Sequence, residues 1–181
     1  MVISDIIVFI CSLILYSFFI LMPIYFFIRK KINSNVFNYL KLKKNWDKGI
    51  LIGGFVSFVY VGLFIFKGII TNNLNINLNI GIRWLYGLSV GFLEEIPIRG
   101  FLLRFFEEKY SFIKANVLST LIFVIFHFPN WIIGGTDIIQ GIISVSVVSM
   151  IFGYLVKEYD SLWITIICHS VFNISIWIGL V

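Results

Sequence analysis

Runs of roughly 20 apolar residues, each about the length that carries a helix across a lipid core of about 30 Å, recur along this chain at 6–28, 49–66, 84–103, 115–133, 138–156 and 162–180. Backbone in lipid must satisfy its own hydrogen bonds, so helices are the form such runs can take. The chain is therefore expected to be all-α, a polytopic membrane helix bundle with about six transmembrane helices. Composition excludes the soluble alternative. The 181 residues are 60% hydrophobic and 13% charged, and their mean hydropathy is +1.00. Soluble domains are about half apolar and a quarter charged, and a chain this short has no interior large enough to hide the surplus.

The net charge of +5 reads as topology. Arg29, Lys30, Lys31, Lys41, Lys43, Lys44 and Lys48 cluster after the first run, and Arg104, Lys109, Lys114 and Lys157 fall on the same side. Only Lys67 and Arg83 fall on the other. The basic side is expected to be cytoplasmic, with both termini outside. This placement points away from nucleic acid. The loop around Trp46 is expected to lie on anionic lipid, at about 1 kcal/mol per basic residue near the surface. The first run has no basic stretch before it and no small-residue cleavage site after it, so it is read as a retained span of an integral membrane protein. An Asn- and Ile-rich composition fits an AT-rich genome, and a bacterial plasma membrane is the expected location.

Cys11 and Cys168 are too few and too far apart for a disulfide or metal framework, and both read as small core residues. Between residues 73 and 80 Asn alternates with Leu or Ile, a period of two. That pattern fits a short strand able to pair with an extended substrate, or compositional drift. No repeat is visible, so residues 1–181 are read as one membrane-embedded domain with a motif-bearing core over 84–181.

Ionisable groups inside a bilayer cost about 2.5 to 3.5 kcal/mol each and default to functional candidates. Glu94, Glu95 and Arg99 lie in the third run, His127 in the fourth, and His169 with Asn173 in the sixth. At about 1.5 Å per residue, Glu94, His127, His169 and Asn173 lie about 14, 18, 10 and 16 Å from the cytoplasmic ends of their runs, one layer near the midplane. Glu95 and Arg99, four apart, share a face and make an internal ion pair, while Glu94 is turned about 100° away and left free. Pro97 lacks an N–H and clashes with the carbonyl of Leu93, so a kink is expected just before the acidic pair. His169 and Asn173 also share a face.

The segment 94–99, Glu-Glu-Ile-Pro-Ile-Arg, fits EExxxR; Phe123 to His127 fits FxxxH; His169 to Asn173 fits HxxxN. In this order, on separate hydrophobic helices, they resemble the CPBP family of intramembrane proteases, which includes the CAAX prenyl endopeptidases and bacterial proteins known as Abi. The resemblance covers Trp84 to the C-terminus. It implies a peptide hydrolase in which Glu94 and His127 activate a water, His169 and Asn173 face the oxyanion, and Glu95 and Arg99 give support. The chemistry is consistent: burial disfavours the charged carboxylate, which suits Glu94 to take a proton from water and pass it to the leaving amine. Donors fixed in a dry site stabilise the tetrahedral intermediate.

Glu94, His127 and His169 also make up a donor set that zinc accepts, although no HExxH helix is present. The expected partner is a membrane-associated peptide or protein substrate; prenylated C-terminal, leader and signalling peptides all suit the site. Packing accounts for Phe123 and Phe126 better than substrate contact does. Alternatives to an enzyme are a proton-coupled carrier, which would show inverted repeats or broken helices in both halves, and a catalytically silent immunity or scaffold protein.

Overall fold

The computed structural model describes residues 2–135 and 137–181. The expected helical bundle is what forms. The N-terminal span is continuous over Ile3–Ile32, built from α1 (Val2–Tyr16), a π turn at Ser17–Leu21, α2 (Met22–Phe27) and a second π segment at Ile28–Ile32. Pro23 is the second residue of α2, just after the first π turn, where its missing donor does not break the helix. After the short α3 (Val36–Tyr39) come α4 (Trp46–Ile70), α5 (Arg83–Glu95), α6 (Leu103–Glu107), α7 (Phe112–Gly134), α8 (Ile138–Tyr159) and α9 (Trp163–Trp177).

The N-terminal span, α4, α7 and α8 are long and apolar enough to cross a membrane by composition alone. The third crossing, α5 to α6 through a π segment at Ile96–Leu102, carries the charged residues, and α9 is short. Outward-facing side chains confirm the solvent: Phe58 is 78% exposed, Ile139 72% and Ile133 86%, apolar surface that lipid accepts and water does not.

α9 is the centre of the bundle, packed against α4 on one side and α5 on the other. Small residues allow the approach. A Cβ at Gly53 would stand 2.9 Å from the Ile164 carbonyl, and one at Gly91 would collide with the Ile166 carbonyl and Ser170 Oγ. Without side chains at these points the backbones close in, as they do at small-residue contacts between membrane helices. α8 is held to α7 by a Thr120–Ser149 hydroxyl bond of 2.7 Å and by Asn116 Nδ2 donating to the Met150 carbonyl at 2.9 Å.

Several expectations are corrected. The helix departs from α geometry after the acidic pair, at Ile96, and it widens into a π segment where an upstream kink was expected; taking in an extra residue relieves the Pro97 clash locally. Residues 73–80 form no helix and, among the described residues, no strand. The segment has no neighbouring strand to ladder with, and Asn77 N–H instead donates to the Ile178 carbonyl at 2.9 Å. Cys168 is buried, but Cys11 is exposed on the outer face of the N-terminal helix, which packs on the bundle along one narrow side. Lys41 is not free to meet lipid. It is buried, and its Nζ contacts Asp160 at 3.1 Å and donates to the Val156 carbonyl at 3.2 Å. Lys44 reaches the same Asp160 at 2.6 Å, so this loop is stitched to the α8–α9 turn.

Candidate active site

Three stretches deliver the polar groups: the end of α5 and its π segment give Glu94, Glu95 and Arg99, α7 gives His127, and α9 gives His169 and Asn173. Neighbouring positions on a helix point apart. Glu95 therefore turns fully inward, at 0% exposure, while Glu94 faces a cavity.

Glu95 Oε1 accepts two hydrogen bonds, from Arg99 Nη1 at 2.9 Å and from His169 Nδ1 at 2.7 Å. The ion pair expected from the four-residue spacing is present. Its oxygen also fixes a histidine 74 residues away, so Glu95 ties its own helix to α9. The Arg99 guanidinium, 1% exposed, lies 4.3 Å from the centre of the Phe123 ring and 5.7 Å from that of Phe152. Aromatic faces thus cover part of a cation whose desolvation would otherwise be costly, while Arg99 Nη2 and Glu95 Oε2 find no hydrogen-bond partner among the described residues.

His127 Nδ1 donates to the Phe123 carbonyl at 2.8 Å, one turn back on the same helix. A carbonyl or carboxylate oxygen can only accept, so each imidazole spends its Nδ1 hydrogen on its anchor, and in the neutral ring Nε2 keeps a lone pair. These two Nε2 atoms converge on one oxygen. Glu94 Oε2 lies 3.8 Å from His127 Nε2 and 3.7 Å from His169 Nε2, and it is buried with no hydrogen-bond partner among the described residues. Residues expected to share one layer are thus brought within 4 Å of each other. Asn173 lines the same cavity, its Nδ2 donating to the His169 carbonyl at 3.2 Å.

Two cavities meet at this point. A groove of about 560 Å³ lies between the N-terminal helix, the π segment and α7, walled by Phe19, Pro23, Phe101 and Phe126. A second, of about 370 Å³, runs among α5, α7, α8 and α9 past Ser144, Phe172 and Trp177. Both are bordered by Glu94, Phe123, His127 and Asn130, which places the carboxylate and an imidazole on the wall common to the two. Phe126, expected to be packing, borders the groove. Asn130 was missed from sequence, although its position three residues after His127 on one helix face was a usable signal. Tyr16, which also borders the groove, gave none.

A family model described as type II CAAX prenyl endopeptidase Rce1-like matches residues 76–175. The chain belongs to that family. No curated protein and no solved structure matches it. The matched stretch of this Rce1-like protein holds every motif residue named above and leaves out the N-terminal helix and α4. Together with the apolar helices, membership makes the protein a membrane-embedded peptide hydrolase of the CAAX protease kind, acting on a membrane-associated peptide.

As arranged, the donors stand slightly wide of a zinc site. The separations of 3.7 and 3.8 Å exceed the edge of about 3.3 to 3.5 Å that bonds of about 2.0 to 2.2 Å give a tetrahedron. Among the described residues no group of three or more His, Cys, Asp and Glu side chains is spaced to hold a metal ion.

Proposed function

We propose that this protein is an intramembrane endopeptidase that hydrolyses a peptide bond in a membrane-associated peptide or protein, using water activated by Glu94 with His127. The observation that supports this most directly is the meeting of Glu94 Oε2 and two imidazole Nε2 atoms beside the wall that two cavities share. Acceptors facing one another call for a donor or cation among them, and water, which can donate to Glu94 Oε2 and His127 Nε2, is the donor a hydrolase supplies.

Glu95 holds His169 at Nδ1, and a proton carried at Nε2 of that ring is the donor offered to an oxyanion. Asn173 keeps one amide hydrogen beyond the one given to the His169 carbonyl, and it serves the same oxygen. Water held by Glu94 Oε2 and His127 Nε2 adds its hydroxyl to the scissile carbonyl carbon while its proton passes to Glu94. Collapse of the intermediate breaks the carbon–nitrogen bond as Glu94 hands that proton to the leaving amine. Glu95 and Arg99 act through His169 as positioning groups.

The apolar groove suits a lipid-modified or hydrophobic flank, so a prenylated C-terminal peptide, in keeping with the family's name, is the first substrate to test. Basic loops in the cytoplasm and both termini outside remain the proposed orientation, with the exposed Arg29, Lys30, Lys31, Lys43 and Lys48 on anionic lipid. A proton-coupled carrier is less well supported, because the π segments leave their helices continuous where carriers unwind them.

The test uses purified protein in nanodiscs and a quenched fluorescent farnesylated peptide. Glu94→Ala, His127→Ala and His169→Ala are each expected to abolish cleavage while the protein remains folded; full activity in any of them removes that residue from the mechanism. Treatment with 1,10-phenanthroline should leave the rate unchanged, and a loss restored by added zinc would replace this mechanism with a metal-based one.

A further inference from the structure

Tyr16 lies outside the residues the family model matches, yet it borders the groove together with Glu94 and His127. Its hydroxyl donates to the carbonyl of Leu93, 77 residues away in sequence. That carbonyl has a particular need. In a regular helix it accepts from the N–H four residues on, and here that residue is Pro97, which has none.

The surroundings make the bond more than incidental. The N-terminal helix meets the bundle near its two ends, through Phe9 against the Tyr86 ring at 4.6 Å and through Ile24 and Ile28 packed with Val36, Tyr39 and Leu40. Between Phe9 and Ile24 no residue is buried. Among the described residues, Tyr16 makes the only hydrogen bond from this stretch to another helix. Its target is the residue immediately before Glu94.

We propose that Tyr16 is a positioning residue: by supplying the donor that Pro97 removes, it holds the Leu93–Glu94 backbone so that the Glu94 carboxylate meets the two imidazoles. The role rests on the hydrolytic reading of the site. Without the hydroxyl the carbonyl turns toward another donor and carries Glu94 with it, away from nitrogens now 3.7 and 3.8 Å distant.

A double-mutant cycle tests this in the full-length protein. Tyr16→Phe keeps the ring and removes the donor, whereas Pro97→Ala restores an N–H able to reach the Leu93 carbonyl. In the native chain Tyr16→Phe should lower kcat on the farnesylated peptide by about tenfold with KM within about twofold, and the melting midpoint by about 3 °C. In the Pro97→Ala background both effects should vanish. Cleavage with equal losses in the two backgrounds overturns the role alone. Absence of cleavage by the native chain overturns the hydrolytic reading and the role with it, whatever the melting cycle gives. Should Pro97→Ala fail to fold, hydrogen exchange decides: residues 93–99 should exchange faster in Tyr16→Phe while α9 is unchanged, and no difference at 93–99 overturns the proposal.

Discussion

Glu95 is where stability and chemistry can be separated by experiment. Its Oε1 holds Arg99 at 2.9 Å and His169 at 2.7 Å, and the ion pair is 0–1% exposed. At an effective dielectric of 20, unit charges at the contact distance interact by about 6 kcal/mol, and at about 4 Å, closer to the separation of the charge centres, by about 4 kcal/mol. Removing one partner of such a pair strands the other, at about 3–5 kcal/mol. Glu95→Gln, close in shape but uncharged, should therefore cost about 3–5 kcal/mol of stability. The double variant Glu95→Leu with Arg99→Met removes both charges and should return to within about 2 kcal/mol of the native protein. It should still fail to cleave, because His169 Nδ1 has lost its acceptor. Stability would be read from denaturant titration in mixed micelles by tryptophan fluorescence, and cleavage from the quenched peptide. A double variant cleaving at more than about a tenth of the native rate would refute the claim that Glu95 acts through His169. A Glu95→Gln protein as stable as native would refute the electrostatic reasoning.

Two further outcomes follow from the packing and from the cytoplasmic loop. Gly91→Val forces a side chain into the Ile166 carbonyl and should cost about 1–3 kcal/mol along with most activity, since α9 carries His169; Gly54→Ala, with nothing within 4 Å of the added carbon, is the silent control in the same melting and cleavage assays. Burial alone would raise the Asp160 carboxyl, but hydrogen bonds and charge from Lys44 and Lys41 outweigh it and hold the group below the ordinary range. A lowered folded value means that the contribution is present above the unfolded value of about 3.9 and is lost as pH falls through the folded one. Asp160→Asn should therefore lower the melting midpoint at pH 7, with the gap closing below about pH 4; a gap independent of pH would sink this account.

The crossings, the layer shared by Glu94, His127 and His169, and the Glu95–Arg99 pair were all legible in the sequence. Each depends on a local quantity: a run of apolar residues, a rise per residue, a spacing of four. The corrections share a different origin. Residues 73–80 have the period of a strand, but a strand needs a neighbour, and the nearest backbone offered a single bond at Ile178. Lys41 counts as a surface charge until the α8–α9 turn folds over it. Cys11 lies in an apolar run, yet whether such a residue faces lipid or core depends on how its helix is rotated.

By itself the sequence determined that the chain enters a membrane as helices and which side chains were too costly to place there without a purpose, because hydropathy and helical rise act along one dimension. Tertiary structure decided the pairing: that Glu95 anchors His169 across 74 residues, that both Nε2 atoms are left facing Glu94, and that Tyr16 reaches the carbonyl Pro97 deprives of a partner across 77. Such contacts follow from the rotation of each helix about its axis and from the glycine gaps that let α9 sit against α4 and α5, and neither is written in the spacing of residues along one helix.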